Sequence, residues 1–266
     1  GELLYGLGDM VHNGEEVSRL SSLGLKTINH SELAEVKSGK VLFRAHGEPP
    51  TSYQLASDKG IEIIDGTCPI VLRLQTKIKE AYARMDQKKQ QMVLFGKADH
   101  PETIGLLGQV NQDAVVLSTL ADIPKIDPGK EVLLFSQTTM DPDQFREVEE
   151  AIRAHLNKAD LSTDKETLKS NCTICGQMKK RKPGLAKFAR SVDLVLFVSG
   201  KNSSNGKMLY EFCATVNPAT HWISSADDID PSWFSGMERV GISGATSTSL
   251  EQLNAVSERV KKLSFP

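Results

Sequence analysis

Short runs rich in Val, Ile, Leu and Phe alternate along this chain with longer amphipathic stretches, and that alternation constrains the fold more than any other feature. The runs Val41–Arg44, Ile61–Asp65, Met92–Phe95, Val115–Leu117, Val132–Phe135, Leu194–Val198 and Val240–Ser243 predict strands. The segments Glu15–Leu23, Ser52–Lys59, Val71–Lys89, Asp141–Leu156, Lys207–Ala214 and Leu250–Leu263 predict helices. Strands separated by helices need crossover connections, so the pattern implies an α/β fold of parallel sheets flanked by helices. Two polar stretches, Ala159–Lys169 and the Lys-rich Lys179–Gly184, read as domain connections.

At ~150 residues per domain, 266 residues make one large domain or two to three small ones. Hydrophobic residues are 39% of the chain, enough for a core, which excludes global disorder. The longest apolar stretch, Leu194–Val198, falls far short of the ~18 residues that span a bilayer. No basic-then-apolar signal opens the chain, so a cytoplasmic protein without a membrane partner is expected. The net charge of −2 argues against nucleic acid, whose binding needs a basic surface, but leaves a small anionic substrate open. Four cysteines, Cys68, Cys172, Cys175 and Cys213, are too few for a secreted disulfide scaffold.

The polar residues cluster just after the predicted strands, where parallel sheets bind ligands. Cys68 stands between a strand and a long helix, a setting that favours thiolate. Cys172 and Cys175 have the spacing of a zinc knuckle or a redox pair, without a second pair to complete a zinc site. Cys213 reads as a buried small hydrophobe within a helix. His12, His46 and His100 occupy loops beside Gly or Pro, where an imidazole suits a metal or an anion. Asn202-Ser203-Ser204-Asn205 and Gly244-Ala245-Thr246-Ser247-Thr248 precede helices. They serve equally as ordinary N-caps or as a phosphate cradle. No Walker A or GxGxxG sequence is present, so a nucleotide is not indicated.

Taken in order, Val11-His12-Asn13, Arg44-Ala45-His46-Gly47, Asp65-Gly66-Thr67-Cys68-Pro69, His100-Pro101-Glu102, Gln137-Thr138-Thr139, Thr173-Ile174-Cys175, Asn202-Ser203-Ser204-Asn205 and Ala245-Thr246-Ser247-Thr248 resemble the signatures of one family. It is the 4-hydroxy-3-methylbut-2-enyl diphosphate reductase, or LytB, family of the non-mevalonate isoprenoid pathway. The resemblance runs through nearly the whole chain. It implies three small, pseudo-equivalent α/β domains in a trefoil around a central [4Fe-4S] cluster, expected here at 1–68, 69–170 and 171–266. It further implies reductive removal of an allylic hydroxyl by two electrons and two protons, giving isopentenyl and dimethylallyl diphosphate. A ferredoxin- or flavodoxin-type donor would supply the electrons.

Carried over residue by residue, Cys68 and Cys175 resemble two of the family's three cluster ligands. His12, His46, His100, Ser203, Asn205 and Ser247 resemble its diphosphate pocket, with Ser204 supporting that loop. Glu102 resembles the proton source and Thr138 the residue that orients the hydroxyl or relays the proton. A carboxyl in an apolar cavity is expected to have a raised pKa; without the resemblance, Glu102 reads as a helix-terminal carboxylate after Pro101. The sequence departs from the pattern in five places, two of them Gly66 where Ala is common and the Gly176-Gln177-Met178-Lys179 run after Cys175. No cysteine precedes Cys68 to match the family's first ligand, which leaves truncation or true loss open. Cys172 is an extra thiol, and Ser249 stands where the family has Pro. The competing readings are a truncated or degenerate homologue that binds a diphosphate without a complete cluster, and a zinc-stabilised structural protein using Cys172 and Cys175.

Overall fold

The computed structural model describes residues 3–11, 13–157, 167–201 and 203–263. The apolar runs form three sheets. The first, ordered β2–β1–β3–β4, comprises β1 (Leu4–Leu7), β2 (Leu25–Ile28), β3 (Lys40–Phe43) and β4 (Glu62–Asp65). Its β1–β3 and β3–β4 pairs run parallel. The connecting helices are α1 (Gly14–Ser22), α2 (His30–Leu33) and α3 (Pro50–Asp58). Leu7, Val41 and Phe43 pack with Leu33 of α2 and Ala56 of α3.

Helix α4 (Pro69–Arg84) leads to the second sheet, ordered β6–β5–β7–β8 and parallel throughout. Its strands are β5 (Gln90–Phe95), β6 (Val115–Leu117), β7 (Glu131–Ser136) and β8 (Leu168–Ser170), with helices α5 (Pro101–Gly108) and α6 (Pro142–Asn157). Side chains alternate along a strand. Val93 and Phe95 therefore meet Phe145, Val148 and Ile152 of α6, while Met92 and Leu94 meet Leu74 and Ile78 of α4 and Leu106 of α5. Burial on both faces is why this strand needs an unbroken apolar run.

The third sheet, ordered β10–β9–β11, is built the same way from β9 (Leu194–Val198), β10 (Thr220–Ile223) and β11 (Val240–Gly244), again parallel. Leu194, Leu196 and Val198 face Val256 of α9 (Leu250–Lys262). Val195 and Phe197 face Leu185 and Ala189 of α7 (Gly176–Arg190) and Leu209 of α8 (Ser204–Val216). Among the described residues no helix is long and apolar enough to cross a membrane.

Backbone proximity groups the chain into two compact units. Unit 1 takes Gly1–Gly8 and Thr27–Lys179, and unit 2 takes Asp9–Lys26 and Lys180–Pro266. Helix α1 thus belongs with the C-terminal part of the chain. Asn13 Nδ2 donates to Ser247 O (3.2 Å) and Gln252 Oε1 (2.8 Å), and Gln252 Nε2 donates to Glu15 Oε2 (3.1 Å).

The Lys-rich Lys179–Gly184 is helical, part of α7, which contains Pro183, and the boundary between the two units falls within it, between Lys179 and Lys180. Buried Leu185, Ala186 and Ala189 dock that helix, and tertiary packing outweighs the hydrogen bond proline removes. The other expected connection, Ala159–Lys169, lies mostly outside the described residues, and its end enters edge strand β8. Helix α4 stops at Arg84 rather than Lys89, because Asp86 O accepts from Lys89 N–H and Gln90 N–H and turns the chain into β5.

Candidate active site

In unit 1 the functional side chains follow the carboxyl ends of strands. The loop after β3 carries His46. Gly47 folds it back with a bond from its N–H to Arg44 O (3.1 Å). Gly47 sits at φ +74°, a conformation that favours glycine, and a Cβ there would press on Gln75 Nε2 at 2.5 Å. The next residue, Glu48, is buried, accepts from Arg44 Nε at 3.3 Å and shares a 2.8 Å bond with His30 Nε2. This anchors the loop from its inner side.

The loop after β5 carries His100, whose ring meets His46 edge-on at 5.0 Å between centroids. His100 caps α5: its Nδ1 accepts the Glu102 N–H at 3.1 Å. A neutral His100 therefore carries its proton on Nε2. Glu102, in the first turn of α5, is 1% exposed. Both its oxygens are taken by Thr138 from the loop after β7: Oε1 accepts the Thr138 N–H at 2.6 Å and Oε2 accepts the Thr138 hydroxyl at 2.8 Å. Burial pushes the Glu102 carboxyl up to about 7 against the lowering effect of those two bonds. Glu102 is thus a first-turn carboxylate after Pro101 that is also sealed from water.

The cysteines stand at either end of this polar chain. The Cys68 N–H donates to Ala45 O (3.0 Å), next to His46, and Pro69 then starts α4. The Cys175 N–H donates to Thr138 O (2.8 Å). The Thr173 hydroxyl donates to Ser136 O (2.6 Å) and accepts the Ser136 N–H (2.8 Å), pinning the Cys172–Cys175 segment to the end of β7. Cys68 and Cys175 are half-buried and free; Cys172 is exposed, and Cys213 is buried within α8 as expected. Among the described residues no three His, Cys, Asp or Glu side chains form a metal-ligand group.

Unit 2 holds a different constellation. Ser203 caps α8 through Gly206 N–H (3.0 Å), and Ser204 opens that helix. Asn205 Nδ2 donates to Thr246 Oγ1 at 3.4 Å, in the loop that carries Ser247. Arg181 donates to the same hydroxyl (3.0 Å) and to Gly244 O (2.7 Å). Thr248 closes the loop onto Val198 O (2.7 Å). Buried Asn13 holds Ser247 O, and its Oδ1, like that of Asn205, has no hydrogen-bond partner among the described residues.

The site residues expected from sequence thus gather in two sets. His46, His100, Glu102 and Thr138, with Cys68 and Cys175, fall in unit 1, whereas Ser203, Ser204, Asn205 and Ser247 fall in unit 2. His12 lies outside the described residues. Sequence reasoning passed over Arg181 and named Thr246 only within its motif. An arginine within a lysine run, ahead of apolar Leu185 and Ala186, is the signal that would have found the first.

Fold and site define an open-sheet α/β protein whose polar groups collect at the carboxyl ends of parallel strands, with a buried carboxylic acid among them. A profile of the LytB protein family matches residues 1–261. The chain is 48% identical over 261 residues to the 4-hydroxy-3-methylbut-2-enyl diphosphate reductase of Bacteroides fragilis, covering 98% of this chain and 88% of that one. It is 45% identical over 263 residues to the enzyme of the same name from Bacteroides thetaiotaomicron, covering 99% and 89%. A solved structure of (E)-4-hydroxy-3-methyl-but-2-enyl diphosphate reductase, described as the terminal enzyme of the non-mevalonate pathway, superposes with a TM-score of 0.74 at 33% identity, covering 98% and 89%. The Plasmodium falciparum reductase structure shares the fold, with a TM-score of 0.77 at 20% identity, covering 99% and 80%. The chain belongs to the LytB family, the 4-hydroxy-3-methylbut-2-enyl diphosphate reductases.

Proposed function

We propose that this chain reduces 4-hydroxy-3-methylbut-2-enyl diphosphate to isopentenyl and dimethylallyl diphosphate. Two electrons and two protons enter, the allylic C–O bond breaks and water leaves. The observation that carries the reading is the Glu102–Thr138 pair: a carboxyl 1% exposed and titrating near 7, both of whose oxygens meet one threonine. Each of the three sheets is proposed as the centre of one domain, with boundaries near residues 68 and 170.

Near neutral pH such a carboxyl is about half protonated, the condition for a general acid. A protonated Glu102 turns its O–H toward Thr138 Oγ. The threonine then passes its own hydroxyl proton to the departing oxygen and recovers one from Glu102. His46 and His100, as donors, would take diphosphate oxygens. Ser203, Asn205 and Ser247 would take others, with Ser204 supporting their loop, and none of these requires a large positive charge.

The family implies a [4Fe-4S] cluster. Cys68 and Cys175 suit it as donors: both thiols are free, half-buried and held by their backbones beside the polar chain of His46, Glu102 and Thr138. They would supply two ligands, and no third joins them among the described residues. When bound, the cluster supplies low-potential electrons one at a time and an open iron position. An external one-electron carrier of ferredoxin or flavodoxin type is the proposed donor.

The test is anaerobic reconstitution followed by iron and sulfide analysis and turnover with a chemical reductant. Bound iron and sulfide with formation of both C5 diphosphates supports the proposal. Pyrophosphate binding without cluster or turnover would replace it with a diphosphate-binding homologue.

A further inference from the structure

We infer that Arg181 is a positioning residue for the loop face that takes the diphosphate, acting through the Thr246 hydroxyl. The inference rests on the diphosphate reading of Ser203, Asn205 and Ser247.

Arg181 is half-buried, and among the described residues no carboxylate pairs with it. A guanidinium taken out of water without a counter-charge is costly. Desolvation alone lowers its pKa from the usual arginine value, which is what an uncompensated cation shows. Its two terminal nitrogens are spent on one loop: Nη1 on Thr246 Oγ1 at 3.0 Å and Nη2 on Gly244 O at 2.7 Å. Both acceptors lie just ahead of Ser247 in the chain. Thr246 Oγ1 also accepts from Asn205 Nδ2 at 3.4 Å. One hydroxyl therefore joins the arginine, the first turn of α8 and the Ser247 loop, and the last two each carry a proposed diphosphate ligand. The opposite side of the Ser247 turn is held by Asn13 through Ser247 O. A cation so placed sets the geometry of the serine and amide donors. It also leaves unit 2 short of negative charge at the point where an anion would arrive. A bound diphosphate would supply the missing counter-charge.

The experiment is titration calorimetry of inorganic pyrophosphate into the chain and its variants at several ionic strengths. R181M is expected to weaken binding at least tenfold and to flatten its salt dependence, and R181K to recover part of both. S247A is expected to weaken binding as well. The R181M/S247A double variant should bind about as poorly as the weaker single variant, because both changes act through one loop. A merely structural arginine would lower the melting temperature without altering the salt dependence. R181M within twofold of the parent, or penalties that simply add, would overturn the inference. If R181M does not fold, T246V tests the same junction: parental affinity there overturns it, and a tenfold loss supports it. If S247A itself binds like the parent, the diphosphate reading of this loop fails first and takes the inference with it.

Discussion

The two compact units hold their polar side chains in opposite ways. In unit 1 a carboxyl is sealed from water beside one threonine and a pair of histidines, so its environment tunes a proton. In unit 2 amides, hydroxyls and one guanidinium meet around the Gly244–Thr248 loop, with no carboxylate paired to the arginine among the described residues. One constellation is suited to proton transfer, the other to an anion. The contrast lies in the surroundings: burial shifts the acid of unit 1, whereas the hydroxyls, amides and N-caps of unit 2 lie in loops and a helix start of the kind that suits oxygens.

The sharpest way to break this comparison is to remove the acid alone. In the cluster-reconstituted protein, Glu102→Gln should lower turnover by roughly 10²–10⁴ while pyrophosphate affinity changes little. Parental turnover would return Glu102 to a structural role. The second prediction concerns stability. The native carboxyl titrates near 7 against an ordinary 4.5, so the folded state binds this proton more tightly than the unfolded state. Its stabilising contribution is complete below about pH 4.5 and is lost as pH rises through 7, amounting to about 3 kcal/mol. Urea unfolding at pH 4.5 and pH 8 should show the parent losing about that much more than Glu102→Gln does.

In unit 2 the expected effects fall on stability as well as binding. A Cβ at Gly206 would collide with Ser199 Oγ and lie 3.1 Å from Ser203 Oγ. Gly206→Ala should therefore cost about 1–3 kcal/mol of stability, the range for overpacking, and weaken pyrophosphate binding, both measurable by melting and calorimetry. Ser203→Ala removes the α8 cap and should cost about 1 kcal/mol. An unchanged melting temperature would show that the hydroxyl carries no capping role.

The sequence was most legible where burial is two-sided. The runs giving β5, β7 and β9 are continuous because both faces pack, so their positions could be read directly. The four-residue strands β1, β2 and β10 were missed: Gly6 interrupts the first, and polar Lys26, Thr27 and His221 dilute the others. Helix α5 escaped because Pro101, Gly105 and Gly108 look like a loop, although Pro at N1 is favourable. Helix α7 escaped because its lysines hide an apolar face carried by Leu185, Ala186 and Ala189. For the candidate site, the motifs named residues but not their partners. That Thr138 bonds both oxygens of Glu102, or that Arg181 grips the Thr246 loop, depends on contacts between residues 36 and 65 positions apart. Local pattern does not encode such pairings.

The account turns on one ionisation. With glutamates labelled at the side-chain carboxyl carbon with ¹³C, the parent spectrum compared with that of Glu102→Gln isolates the Glu102 resonance. Its chemical shift can then be followed from pH 4 to pH 9. A single titration with a midpoint near 7 is the result predicted by burial against Thr138. A midpoint near the ordinary 4.5 would mean that the carboxyl is ionised throughout the working range, and would contradict its role as the proton source.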